Sequence, residues 1–263
     1  MPFPRFMLFC LINFLVSLPV AAQQTVQRDP QAVNLLAQCL AASGGAQAVA
    51  TIQDFTGTGT ITYFWAGQQV QGSVTVRAKG VSDFRLDANL PDGIRSWAAI
   101  RGKGFTKNAS GQLVTIPYYN AVNLAGLTFP VSQIVLALQQ STSTSVTNLG
   151  LVQADGHSVY RVRVQESFSQ KEDPTGDLAR WNTKEFFIDL STFQIVKTQD
   201  IVYSARQYLA GVPREIHFAD YRPVNGILVP FSLIETVNGQ QSWTMQLNQM
   251  TFNTGLQDSD FQL

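Results

Sequence analysis

Residues 215–252 read EIHFADYRPVNGILVPFSLIETVNGQQSWTMQLNQMTF, and this stretch decides the fold class. It divides into three strands, Glu215–Tyr221, Ile227–Val237 and Gln241–Met250. Asn225-Gly226 and Asn238-Gly239 stand at the breaks, and Asn-Gly supplies the positive φ angles that a tight hairpin demands. In the third strand Trp243, Met245 and Leu247 point one way. Ser242, Thr244, Gln246 and Asn248 point the other. That alternation belongs to an antiparallel strand with one buried and one wet face. A two-residue turn at Asn238-Gly239 sets Met245 against Ser232. An odd-length loop, or a bulge of the same effect, sets Met245 against Leu233 and Leu247 against Phe231. A slip of one residue flips every side chain, so burial favours the second register.

An apolar sheet face needs a cover, and the upstream sequence supplies one. Asp29-Pro30 opens a helix, with Asp29 as N-cap and Pro30 in the first turn. Val33, Leu36, Ala37 and Leu40 form its apolar stripe, Gly44-Gly45 ends it, and Ala46–Ile52 makes a second short helix. Strands follow at Asp54–Trp65, Gln69–Lys79, Asp83–Leu90, Arg95–Arg101, Gly104–Lys107 and Gln112–Ile116. Phe55, Ile61, Tyr63 and Trp65 share one face of the first. Gly57 and Gly59 between them mark a bend or a close approach. The pattern then changes, and a helix from Pro130 to Leu138 interrupts the strands. They resume at Ser145–Gln153 and Ser158–Gln165. Glu166–Asn182 is polar, with Pro174 and Gly176, and reads as a loop. Lys184–Leu190 and Phe193–Tyr203 are strands, and Gln207–Pro213 reads as a loop into the C-terminal block. No internal repeat is visible. The fold class is mainly β with helical cover: an unclosed antiparallel barrel or half-barrel packed around an N-terminal helix and a central helical segment.

The first residues carry an address. Met1–Arg5 holds one positive charge, Phe6–Leu18 is apolar, and Val20-Ala21-Ala22 is a small-residue cleavage site. This reads as a secretory signal peptide, residues 1–22, followed by one domain, residues 23–263. Lys+Arg and Asp+Glu are both 18; losing Arg5 leaves no basic footprint for nucleic acid. Cys10 leaves with the signal, so Cys39 has no partner, and its Ala- and Leu-rich surroundings predict a buried, inert thiol.

Catalytic chemistry has little support. There is no Gly-x-Ser-x-Gly elbow and no phosphate loop after a strand. His157 follows a hairpin Asp-Gly and reads as a solvated turn residue. His217 shares a strand face with Glu215, which is half of a metal site at most, since such sites need three or four converging ligands. A cluster of His217 with two or more carboxylates in a cleft would revive an enzyme. The expectation is a non-enzyme without metal or cofactor. The aromatic strand faces read either as core filling or as the wall of an apolar ligand cavity. Its candidate residues are Phe55, Ile61, Tyr63, Trp65, Phe84, Trp97, Phe231, Trp243 and Met245.

Two segments carry a resemblance. FADYRPVNGILVPFSLIETVNGQQSWTMQLNQMTFNTGLQDSDF (218–261) has a strand, a turn, a hairpin and an Asn-x-x-Leu-x-Asp-x-x-Phe ending. FFIDLSTFQIVKTQ (186–199) has a strand, an Asp-led turn and a return strand. Together they resemble the periplasmic outer-membrane lipoprotein carrier (LolA/LolB-like) superfamily, over roughly Lys184–Phe261. The resemblance implies an unclosed antiparallel barrel of about eleven strands around helices, with an apolar cavity for acyl chains. The Gly44-Gly45 turn and the 166–182 loop depart from the carrier pattern, and Arg95 and Arg101 are the candidates for a cavity arginine. The leading function is thus a binding protein for lipid, lipoprotein acyl chains or another apolar ligand. Its place is the periplasm or the outer membrane, where an envelope protein is a further candidate partner. The competing reading is a structural envelope protein whose half-barrel is filled by Val33–Leu40 and Val131–Leu138. An outer-membrane barrel and a hydrolase rank below both.

Overall fold

The computed structural model describes residues 26–204 and 207–263. The expected signal peptide, 1–22, lies outside the described residues. Six strands form a first meander: β1 (Asp54–Trp65), β2 (Gln68–Lys79), β3 (Asp83–Leu90), β4 (Gly93–Ile100), β5 (Lys103–Lys107) and β6 (Leu113–Ile116). Seven form a second: β7 (Thr144–Ala154), β8 (His157–Glu166), β9 (Thr183–Asp189), β10 (Ile195–Ser204), β11 (Gln207–Val224), β12 (Ile227–Val237) and β13 (Gln240–Phe252). The last strand returns to pair with the first, joining the meanders into one sheet ordered β6-β5-β4-β3-β2-β1-β13-β12-β11-β10-β9-β8-β7. Every neighbouring pair is antiparallel. The sheet is open, and its apolar residues face inward onto helices, the reverse of an outer-membrane barrel. It has 13 strands, more than the carrier resemblance implies.

Five helices lie among the described residues: α1 (Pro30–Ala42), α2 (Ala46–Ala50), α3 (Tyr118–Ala121), α4 (Val131–Gln139) and α5 (Asp177–Trp181). Asp29 caps α1, its Oδ1 accepting from the amides of Gln31 and Ala32 at 2.8 and 3.2 Å. The buried stripe of α1 is Ala32, Leu35, Leu36, Cys39 and Leu40, turned from the expected one. Leu35 offers more apolar area to the core than Ala37, which faces solvent. Residues 27–29 guard the β7 edge: the Asp29 amide bonds the Val146 carbonyl, and the Val146 amide bonds that of Gln27. The Gly44-Gly45 turn docks α1 onto the β11–β12 hairpin. A Cβ on Gly44 would stand 2.7 Å from the Gly226 carbonyl oxygen, and the Leu228 amide donates to Ser43.

The C-terminal register follows the apolar residues. The Asn238-Gly239 turn is tight, with Val237 opposite Gln240. A bulge between Glu235 and Thr236 then sets Leu233 opposite Met245. Gly59 sits at a second bulge, in β1 against β13. Two loop expectations are overturned. Residues 166–182 contain α5, and buried Asp173 accepts from the Ala179 amide at 2.9 Å. Gln207–Pro213 belongs to β11. This stretch has its ladder with β10. On the other side only the Pro213 carbonyl is used, accepting from the Asn238 amide at 2.8 Å, so the missing N–H of a proline costs no ladder bond there.

Candidate ligand cleft

The concave face of β1–β3, β12 and β13 gathers the residues expected to line a cavity. Ile61 stands opposite Met245 and Tyr63 opposite Trp243, and Tyr63 stacks on Trp97 at 5.7 Å between centroids. Phe55, Ile61, Phe84, Phe231, Trp243 and Met245 are buried in one continuous core, with Tyr63 and Trp97 packed against it. Leu35, Leu36 and Leu40 of α1 and Val131 and Ile134 of α4 belong to the same core. Phe129, just before α4, packs its ring 5.6 Å from those of Phe55 and Phe252. Trp65 departs from the expectation. It is 73% exposed, because the hairpin end of β1 and β2 projects beyond the core, with Gln68 and Gln69 also exposed.

A cleft of about 300 Å³ lies apart from this core and opens where the two arms of the sheet face each other across the α3–α4 segment. One arm contributes turn residues, Val81-Ser82 and Arg101-Gly102. The other contributes Val164, Glu166, Lys184 and Phe186 from β8 and β9. Tyr118, Val122 and Asn123 come from the α3 region, and Gln133, Leu136 and Ala137 from α4. None of the nine predicted residues is among them. Of the two candidate arginines, Arg101 reaches the rim, where it donates to Asp258 at 2.9 Å. Arg95 instead joins Trp65 and Trp97 around a separate surface groove and pairs with Asp92.

The inner wall of the cleft leads into a row of buried charge. Asp200 and Arg214 are cross-strand partners, and continuing the β9–β10 register puts Lys184 on the other side of Asp200. Arg214 donates from Nε and Nη2 to the two Asp200 oxygens at 2.8 and 2.6 Å. Lys184 Nζ stays 3.7 Å from Oδ2. Glu235 flanks the Arg214 end. Its carboxyl is raised by burial, against the lowering pull of Arg214. Burial, helped by Arg214 and opposed by Asp200, pushes Lys184 down to about 8. Glu166, on the cleft wall, is raised by burial. The Oε1 of Gln133 is buried without a hydrogen-bond partner among the described residues.

The sequence reading missed these four charges, yet a signal was there. Lys184 is in phase with Phe186 and Ile188, Arg214 with Ile216 and Phe218, and Glu235 with Leu233 and Phe231. Asp200 shares the phase of Thr198. A charged residue in step with an apolar face is either paired or functional.

Other chemistry sits apart from the cleft. His217 lies on the outer face, its Nδ1 2.6 Å from Asp155 Oδ2 and its Nε2 3.5 Å from Glu215 Oε2. The two carboxylates flank opposite sides of the ring rather than converge on one point, and Lys197 already holds Glu215 at 2.8 Å. His157, in its exposed turn, meets Asp189. Cys39 is fully buried, and burial pushes its thiol up to about 12.

No protein-family model matches the chain, and no curated protein matches it by sequence. Solved structures do. A LolA superfamily protein from Nitrosomonas europaea is 11% identical, covers 86% of this chain and 97% of its own, and has a TM-score of 0.53. A DUF1329 family protein from Desulfovibrio piger is 12% identical over 90% of this chain and 98% of its own, also at TM-score 0.53. The fold is LolA-like. A putative outer membrane lipoprotein-sorting protein domain from Vibrio parahaemolyticus agrees at TM-score 0.52 and 12% identity, over 88% of this chain and 96% of its own. At such identities the likeness is one of architecture. The LolA-like half-barrel here keeps its helical filling under β1–β3 and leaves its open space between the arms. Among the described residues no helix is long and apolar enough to cross a membrane.

Proposed function

We propose that this LolA-like chain is a secreted, non-enzymatic protein of the cell envelope that binds a lipid or a similar amphiphile in the cleft between its arms. The cleft itself carries the reading. It joins an apolar wall of Val122, Leu136, Ala137, Val164 and Phe186 to a few polar groups. Its volume, about 300 Å³, falls at the lower end of small-molecule sites. Each methylene that enters contributes about 0.8 kcal/mol, so a short length of acyl chain suffices for measurable affinity after ordering costs. Eight of the nine residues first read as a cavity wall, all but the exposed Trp65, then support the site by holding the sheet around its helices.

A neutral fluorescent acyl ester, titrated into the wild-type protein, tests this. Saturable binding is expected, and Leu136→Trp, which fills the cleft from α4, should abolish it without lowering the thermal midpoint by more than a few degrees. Binding that survives Leu136→Trp would move the ligand elsewhere. Absence of binding by the wild type would favour the second reading, a structural envelope protein. That reading draws on the core continuity between α1, α4 and the concave face.

A further inference from the structure

We propose that the cleft selects an amphiphile with one acyl chain and an anionic head, and that Lys184 binds the head. The proposal rests on the reading of the cleft as an amphiphile site and adds the headgroup to it. Its starting point is a mismatch in the buried row. Asp200 stands between two cations, and Arg214 engages both of its oxygens, at 2.8 and 2.6 Å. Lys184 Nζ stands 3.7 Å from the nearer oxygen, a longer contact than either of Arg214's, and only 7% of its side chain is exposed. An ammonium carries three donors. Asp200, already held on both oxygens by Arg214, is the one ion-pair partner of Lys184 among the described residues.

Such a cation is costly to keep. A buried charge needs a partner of its own and full hydrogen bonding, and Lys184 has half a share of one carboxylate. Its neighbours on the wall, Val164 and Phe186, show that apolar side chains fit there. An anionic head placed in the cleft would give this ammonium a second anionic partner, closer than the carboxylate it shares with Arg214. The chain attached to it would run along Val164, Phe186, Leu136 and Ala137. The other charges nearby do not replace it. Arg101 is at the rim, 74% exposed and bound to Asp258. Glu235 lies across Ile216 in β11, on the Arg214 side of the row. Glu166 is on the same wall, but no ion pair links it to Lys184 among the described residues.

The test compares heads on one chain. A conjugated-polyene fatty acid and its methyl ester are titrated by fluorescence, and a monoalkyl phosphate of the same length is used as competitor. The wild-type protein should bind the acid at least tenfold more tightly than the ester. Lys184→Met should bring the acid down to the ester's affinity, whereas Lys184→Arg should keep the preference. Competition by the alkyl phosphate would show that the site reads charge, and its failure that the site is for carboxylates; both support the anionic head. Equal affinity for acid and ester in the wild type, or a preference that survives Lys184→Met, would overturn the headgroup and leave the cleft reading intact. Binding of no probe would overturn both. If Lys184→Met does not fold, the wild-type ratio of acid to ester decides alone.

Discussion

Gly59 of β1 lies so near Gln246 of β13 that a Cβ built on it would stand 2.1 Å from the Gln246 carbonyl oxygen. The contact sits at the β1 bulge, where the register with β13 shifts by one residue. Backbone cannot move aside as a flexible side chain can. Gly59→Ala should therefore destabilise by about 1–3 kcal/mol, as overpacked sites do. Gly57→Ala is the control, because its Cβ would meet Leu247 at an ordinary 3.5 Å. Urea unfolding should show the first variant clearly weakened and the second near wild type. Equal losses would mean that the bulge does not depend on glycine.

The Asp200–Arg214 pair predicts an asymmetric mutational response. Asp200→Asn removes the one carboxylate shared by Arg214 and Lys184, all three less than a tenth exposed. Removing one partner of a buried pair costs about 3–5 kcal/mol, whereas replacing both by apolar groups is often tolerated. In a Lys184→Met background, where no second cation is stranded, Asp200→Leu combined with Arg214→Met should therefore recover most of that loss. A double-mutant cycle by denaturant unfolding measures it, and simple additivity of the two single losses would refute the coupling.

Trp243 stands opposite Glu235 across the β12–β13 ladder and is 7% exposed. Trp243→Asp would bury a second carboxylate beside one that burial already raises. An unpaired buried carboxylate costs several kcal/mol, so the variant should be unfolded or nearly so at neutral pH by circular dichroism. A folded variant with an unchanged melting midpoint would show that this wall hydrates, and would return the ligand to the aromatic face.

Much of this architecture is legible in the chain because local chemistry enforces it. Asn225-Gly226 and Asn238-Gly239 take positive φ and fix two hairpins. Apolar phase pins Met245 to Leu233 even though the tight turn alone would not, and the bulge absorbs the difference. The strand at 207–213 was hidden because Gly211 and Pro213 are turn residues by habit, and only the geometry of a one-sided pairing excuses them. α5 was hidden by its brevity. The cleft was illegible for a different reason. Ser82, Arg101, Leu136 and Lys184 are far apart in sequence, and only the curvature of the sheet brings them round one space. The aromatic residues were legible as an inward face, but alternation is the same whether a face meets a ligand or Leu36 and Phe129.

Two aspartates should govern acid stability. Asp54 accepts from the amides of Thr254, Gly255 and Leu256 and from the Thr254 hydroxyl. Asp189 accepts from the amides and hydroxyls of Ser191 and Thr192. Burial works to raise both carboxyls, and these donors together outweigh it and hold both below the ordinary range. A folded-state pKa below the unfolded one contributes stability above the unfolded value, about 4, that is lost as pH falls through the folded value. The wild-type urea midpoint should thus decline from about pH 4 downward. In the double variant Asp54→Asn, Asp189→Asn it should start lower and decline less. Parallel profiles would assign the acid transition to other carboxylates.

Lys184 makes the opposite prediction at alkaline pH. Burial lowers its ammonium to about 8 in the folded chain, while an unfolded lysine titrates near about 10.4. Between these values the unfolded chain holds more protons than the folded one, so stability rises with pH across that window. Below about 8 the lysine is charged in both states and its burial cost is constant. Lys184→Met has neither the charge nor the titration. In ligand-free protein the variant should therefore be the more stable at pH 7, and its advantage should shrink as pH climbs from about 8 towards about 10. Other groups that titrate there are common to both proteins and cancel in the difference. Denaturant midpoints of the pair, measured at half-unit steps, read this directly. An advantage that stays constant with pH would mean that Lys184 keeps its proton in the fold. A wild type more stable than the variant at pH 7 without ligand would mean that Asp200 satisfies the ammonium fully, which would remove the electrostatic reason for an anion in the cleft.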